Sequence, residues 1–179
     1  RGSRFNWVGA FAPGTVSGRR AHPPKAIKSL DIKINKNERK KAIRSALAAT
    51  TLRNLLHYPY DKELPIIIES RFESLDKTKD VVKVMDSLGL SSIIAKAKNP
   101  GIRAGKGKHR NRPYKNKLGP LFVVSGKCKL QSSAKNLPGI DVKEVRLLNA
   151  KTLSHGNKSR LVIFTDKAID TIKESNLFN

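Results

Sequence analysis

Leu64-Pro65-Ile66-Ile67-Ile68-Glu69, with Asp76 to Leu88 following it, decides how this chain is read. The isoleucine run is short, continuous and β-branched, as in a strand buried on both faces. In the second segment Val81, Val82, Met85 and Leu88 recur at i, i+1, i+4 and i+7, which is one face of a helix, and Gly89 is placed to end it. Met85 on that stripe reads as core. A buried strand that leads into an amphipathic helix is the repeating unit of a parallel sheet.

The alternation extends in both directions. Upstream, a helix is expected from about Asn37 to His57, capped by Asn35 or Asn37 and stopped by Pro59. Ile43, Ala46, Leu47, Thr50 and Leu55 fall at helical spacing within it. Downstream, Ser92–Ala95 reads as a strand, Leu121–Val124 as the next, and Ser132–Leu137 as a short helix before the Pro138-Gly139 turn. Val142–Leu148 reads as a strand, Asn149–Leu153 as a short turn or helix, and Leu161–Phe164 as the last strand. Thr165-Asp166 are placed to cap a final helix that runs to about Ser175. The expected fold is α/β: a parallel sheet with helices on both faces. It spans residues 26–179, and residues 1–25 form an extended arm.

Between the strands expected at Ser92–Ala95 and Leu121–Val124 lies a basic loop, residues 98–118. Seven of the seventeen residues in 101–117 are Lys or Arg, three are Gly and none is acidic. Such a run buries no apolar face, and its charges repel one another unless an anion lies between them. Arg103, Lys106, Lys108, Arg110, Arg112, Lys115 and Lys117 suit phosphates. Gly105 and Gly107 would let backbone N–H groups come close to a ligand, and Tyr114 is a stacking residue. His109 lies among them. A solvated surface loop is the plain alternative. The charge density, and a second acid-free stretch at the N-terminus, favour nucleic acid.

The distribution of charge supports this. The net charge is +23 over 179 residues. Residues 1–30 hold six Lys or Arg and residues 87–140 hold twelve, with no acid in either, so the two segments carry +18 and leave +5 for the rest. A near-neutral body therefore bears two basic appendages, the layout of a protein that inserts into RNA or DNA. Residues 1–25 show no helical or strand period, yet they set Phe5, Trp7 and Phe11 among Arg1, Arg4, Arg19, Arg20 and Lys25, with His22 before two prolines. Disordered tails carry few aromatics. Aromatics interleaved with arginine can stack on unpaired bases while the guanidinium groups hold phosphates. An arm ordered by RNA is the expected reading, and a disordered tail its alternative.

Other chemistry finds little support. Cys128 is the single cysteine, which excludes an intrachain disulfide, and the four histidines have no zinc-ligand spacing. Gly105-Lys106-Gly107-Lys108 lacks the spacer and the following Ser or Thr of a phosphate-binding loop, and the dinucleotide glycine spacing fails at Arg110. His22, His57, His109 and His155 have no acid or nucleophile at an informative position. Glu73 and Asp76 suit the N-terminal dipole of the helix they precede. No enzyme activity, cofactor or metal is expected. No stretch approaches the roughly 20 apolar residues of a membrane span, and the cysteine usage suits a reducing, cytosolic compartment. The chain opens at Arg1 in what reads as a loop, so an N-terminal part of the natural protein is expected to precede it.

Four segments carry a family resemblance. Ala10-Phe11-Ala12-Pro13-Gly14-Thr15-Val16-Ser17-Gly18-Arg19-Arg20-Ala21-His22-Pro23-Pro24-Lys25 resembles the arm of the fourth universal protein of the large ribosomal subunit, in its archaeal and eukaryotic form. Arg44-Ser45-Ala46-Leu47-Ala48-Ala49-Thr50 is similar to that family's first long helix, and residues 103–112 to its basic loop, with His109 standing where Met would be expected. Phe164-Thr165-Asp166-Lys167-Ala168 is similar to its closing strand and helix. The resemblance implies a cytoplasmic structural component of the ribosome. Its partners would be large-subunit ribosomal RNA, neighbouring ribosomal proteins and the nascent peptide, because a long loop of the family lines the peptide exit tunnel. Residues 1–24 would be the returning half of that loop, and a short chain end without a basic tail suits an archaeal member. Arg1, Arg4, Arg19, Arg20 and Lys25 would meet phosphates, with Phe5, Trp7 and His22 stacking. A DNA-architectural protein is the rival that shares the charge.

Overall fold

The computed structural model describes residues 11–178. The chain divides after Ile34 into two compact units. Arg1, Arg4, Phe5 and Trp7 lie outside the described residues.

The first unit, from residue 11 to 34, has neither helix nor strand. It is a series of turns. The Thr15 hydroxyl donates to the Ala12 carbonyl at 2.9 Å, the Gly18 N–H to Thr15 at 3.0 Å, and Nε of Arg19 reaches the Phe11 carbonyl at 3.1 Å. Phe11, Arg20, His22 and Lys25 are exposed.

The second unit opens with helix α1 (Lys36–Thr51) and continues through strand β1 (Ile66–Ile68), helix α2 (Thr78–Ser87) and helix α3 (Ser91–Lys98). A small hairpin follows, β2 (Gly101–Ile102) with β3 (Tyr114–Lys115), and then β4 (Leu121–Val124), α4 (Leu130–Ala134) and β5 (Asp141–Glu144). The last part holds α5 (Ala150–Leu153), a second small hairpin of β6 (Ser154–His155) and β7 (Lys158–Ser159), then β8 (Val162–Thr165) and α6 (Asp166–Ser175). Four strands form one parallel sheet in the order β1-β8-β4-β5, with Ile66 opposite Ile163 and Phe122 opposite both Ile163 and Val142.

Strand periodicity sorts the core onto the two faces. Phe122, Val124, Leu161 and Ile163 pack with Val81 and Met85 of α2, Ile93 and Ile94 of α3, and Leu130 of α4. Leu121, Val123, Val162 and Phe164 point the other way, against Ile43 of α1, Leu153 of α5 and Ala168 of α6. Helices therefore cover both faces, as the α/β reading requires. Two helix boundaries follow their expected caps. At Gly89 (φ +79°) the Leu90 N–H bonds Met85 and the Gly89 N–H bonds Asp86, a paired closure that satisfies the last carbonyls of α2. At the start of α6 the Thr165 hydroxyl accepts from the Ala168 N–H.

Several local expectations are corrected. Ser92–Ala95 is not a strand but lies within α3. Leu90, Ile93, Ile94 and Ala97 are all buried, and their i, i+3, i+4, i+7 spacing is helical, so the isoleucine pair misled. The first helix ends at Thr51 rather than His57. Leu52 is extended, a 3-10 turn covers Arg53–Leu55, and Leu56 bridges to Ser159. Because β1 is an edge strand, Ile67 is 50% exposed, and only one face of the isoleucine run is buried. The strand expected to reach Leu148 stops at Glu144 and passes into a 3-10 turn over Val145–Leu147. Asp76 pairs with Lys129 at 3.0 Å, while Glu73 serves the sheet, as described next.

Candidate nucleic-acid interface

In open parallel sheets, ligands bind beyond the carboxyl ends of the strands where the strand order reverses. Here that place lies between β8 and β4, and Glu73 is bonded there. Its carboxylate accepts from the Thr165 hydroxyl at 2.6 Å, the Ser125 N–H at 3.1 Å and the Ser125 hydroxyl at 3.0 Å. The carboxylate's acceptors at this place are thus used within the fold. Burial pushes the Cys128 thiol above its ordinary pKa, which suits an inert residue rather than a nucleophile.

The concentrated charge lies elsewhere, on the excursion between α3 and β4. It leaves a helix, not a strand, and it is a folded hairpin rather than a free loop. Gly101 pairs with Lys115 and Ile102 with Tyr114 in antiparallel register. The Arg103 N–H extends the ladder to Pro113 at 2.8 Å, and Nε of Arg103 bonds the Tyr114 carbonyl at 3.1 Å. At the tip a 3-10 turn over Lys108–Arg110 ends in left-handed Asn111 (φ 56°). The Gly107 carbonyl gathers the N–H groups of Arg110 at 3.1 Å and Arg112 at 2.9 Å. Backbone bonds thus shape a segment that has no core of its own.

All seven hairpin cations are exposed, as are His109 and Tyr114. Among the described residues the ion pairs are Lys83–Asp80, Lys129–Asp76 and Arg160–Asp141, so none of Arg103, Lys106, Lys108, Arg110, Arg112, Lys115 and Lys117 is neutralised by a carboxylate. The two glycines differ. A Cβ on Gly107 would stand 3.1 Å from Cδ of Arg103, so this residue packs against its own hairpin, whereas a Cβ on Gly105 would meet nothing within 4 Å.

Residues that the sequence analysis did not single out aim the hairpin. Arg160, buried before β8, donates to the carbonyls of Gly119 at 2.5 Å, Pro120 at 3.1 Å and Gly139 at 2.9 Å, and it pairs with Asp141 at 2.6 Å. Gly139 (φ +76°) lies where both legs of the hairpin meet the body: a Cβ there would stand 2.8 Å from Cβ of Ala97 and 2.8 Å from the Lys117 carbonyl. A lone cation in Ser-Arg-Leu-Val-Ile-Phe, heading a strand with no acid nearby in sequence, was the signal for Arg160.

Fold and site together define a parallel α/β domain whose charge stands on an exposed hairpin that no carboxylate among the described residues neutralises. Residues 2–175 match the Ribosomal protein L4/L1 family, and the chain belongs to that family. It is 46% identical over 171 residues to the large ribosomal subunit protein uL4 of Methanocaldococcus jannaschii, covering 92% of this chain and 68% of that protein. The protein of the same name from Nanoarchaeum equitans is 41% identical, covering 99% of this chain and 68% of the relative. The one from Halobacterium salinarum is 38% identical, covering 96% and 71%.

Proposed function

We propose that this chain is a structural, non-enzymatic component of the large ribosomal subunit in the cytoplasm, holding large-subunit ribosomal RNA through its basic hairpin and its N-terminal arm. The observation that carries the reading is the hairpin itself: seven exposed cations on an ordered backbone with no carboxylate among them. Holding like charges together in a folded hairpin is unfavourable in isolation, and a polyphosphate chain relieves it. Family membership supplies the ribosomal context and agrees with the charge layout.

In this reading Arg103, Lys106, Lys108, Arg110, Arg112, Lys115 and Lys117 neutralise phosphates, and Tyr114 stacks. Gly105, with nothing within 4 Å of where a Cβ would stand, is where RNA backbone approaches most closely. Arg1, Arg4, Arg19, Arg20 and Lys25 hold phosphates along the arm, and Phe5, Trp7 and His22 stack on bases or ribose. The arm would run toward the exit tunnel beside the nascent peptide, and the body would meet neighbouring ribosomal proteins.

Binding of the full chain to large-subunit RNA, measured against salt, tests this. With about six to ten phosphates neutralised, affinity falls by roughly 10³–10⁵ between 50 and 200 mM salt. Folded ribosomal RNA should also be preferred over duplex DNA of equal length. A flat salt dependence, or equal affinity for the duplex, would overturn the reading.

A further inference from the structure

A second feature lies at the foot of the hairpin. A cavity of about 380 Å³ opens there, and His57, Tyr58 and His155 line it together with Lys96, Lys115 and Lys117. These residues come from four separate places in the chain: the segment after α1, the end of α3, β3 with the residues after it, and β6. The His57 and His155 rings lie 4.0 Å apart, tilted by 38°, and Tyr58 meets His57 edge-on at 4.6 Å. The backbone fixes this group. The His57 N–H bonds the Ser159 carbonyl at 2.9 Å, and His155 pairs with Lys158 in the β6–β7 hairpin.

Three properties indicate what would enter. The volume falls in the range of small-ligand sites, roughly 300–1,000 Å³. The rings offer π faces: burial, with His155 and Lys158 nearby, lowers the pKa of His57, so its imidazole is neutral at pH 7. In the same lining the lysines supply charge with no acid among them, continuous with the hairpin. A flat aromatic group joined to an anion suits both kinds of lining residue.

We propose that this cavity takes one unstacked RNA nucleotide, its base against His57, Tyr58 and His155 and its phosphate toward Lys96, Lys115 and Lys117. The proposal rests on the RNA-binding reading above. It adds a pocket for a single base beside a hairpin whose cations meet phosphates, and so a place where the protein senses that a nucleotide is flipped out of its helix.

The test is ultraviolet cross-linking of the full chain to large-subunit ribosomal RNA, with nucleotide adducts mapped by mass spectrometry, together with binding of two variants. Tyr58→Leu keeps apolar bulk against the core; His57→Ala/His155→Ala removes the stacked pair, and its fold is checked by circular dichroism. Adducts on His57, Tyr58 or His155 are expected, with affinity reduced roughly tenfold in either variant and the salt slope unchanged, as for loss of one stacked base. Adducts confined to the hairpin, with Tyr58→Leu binding as the parent does, would overturn the pocket and leave the RNA reading standing; that result follows if a neighbouring protein fills the cavity. Absence of both adducts and salt-dependent binding would overturn the RNA reading itself.

Discussion

Arg160 and Asp141 form an ion pair of 2.6 Å that is asymmetric in burial: the arginine side chain is 5% exposed and the aspartate 48%. The pair ties the entry to β8 to the entry to β5, although the two strands are not neighbours. β4 lies between them, and the guanidinium spans it by also holding the carbonyls of Gly119, Pro120 and Gly139. Four bonds on a planar fork fit Arg and not Lys.

Arg160→Met should therefore cost about 3 kcal/mol or more, because it removes four hydrogen bonds to a charged group and leaves the Gly119 carbonyl without a donor. Asp141→Asn should cost less, since its carboxylate is half in water and the guanidinium keeps its three carbonyls. Chemical denaturation of the two variants checks the order. Equal losses would mean that the ion pair, rather than the carbonyl contacts, dominates.

Gly139→Ala should destabilise the fold by about 1–3 kcal/mol. The left-handed backbone is strained for any side chain, and the methyl group would collide with Ala97 and with the Lys117 carbonyl. Since those two positions flank the hairpin, amide exchange near Lys117 should accelerate as well. A melting temperature within a degree of the parent would refute the packing role.

The pKa of His57 is lowered on folding, mainly by burial. The folded state thus binds its proton less readily than the unfolded chain does. The stability this gives is present above the ordinary histidine value of 6.5 and is lost as the pH falls through that value toward the lower folded one. Melting temperature should drop between pH 7.5 and 5.5, and His57→Gln should reduce the drop. An identical pH profile in that variant would show that other groups govern the transition.

Replacing Lys106, Lys108, Arg110 or Arg112 singly by Ala should weaken RNA binding modestly and lower the salt slope by roughly one charge each, without moving the melting temperature. Arg103→Ala is expected to differ, because its Nε holds Tyr114 and its stem lies on Gly107. It should also increase tryptic cleavage within the hairpin. If Arg103 behaved like the tip residues in both assays, the hairpin would not depend on it for shape.

What the sequence determined by itself rests on signals that are local or summed. Helical spacing over Val81–Leu88, the Gly89 stop, the Thr165 cap and the continuous apolar run of Leu121–Val124 each follow from period, composition and capping within a few residues. The acid-free composition of residues 87–140 is a sum that no packing alters, so the charged hairpin was legible as a segment. Tertiary structure decided what depends on neighbours distant in the chain. Whether Ile93-Ile94 is helix or strand turned on Leu90 and Ala97 having a core to face. Whether Ile66–Ile68 is central or at the edge turned on the strand order. His57 and His155 were two scattered histidines until α1 stopped early and Leu56 bridged Ser159. Arg160 was one cation among many until parallel pairing brought three carbonyls and a carboxylate within its reach. Period and composition are properties of the chain itself, whereas partners for buried polar groups are supplied only by the fold.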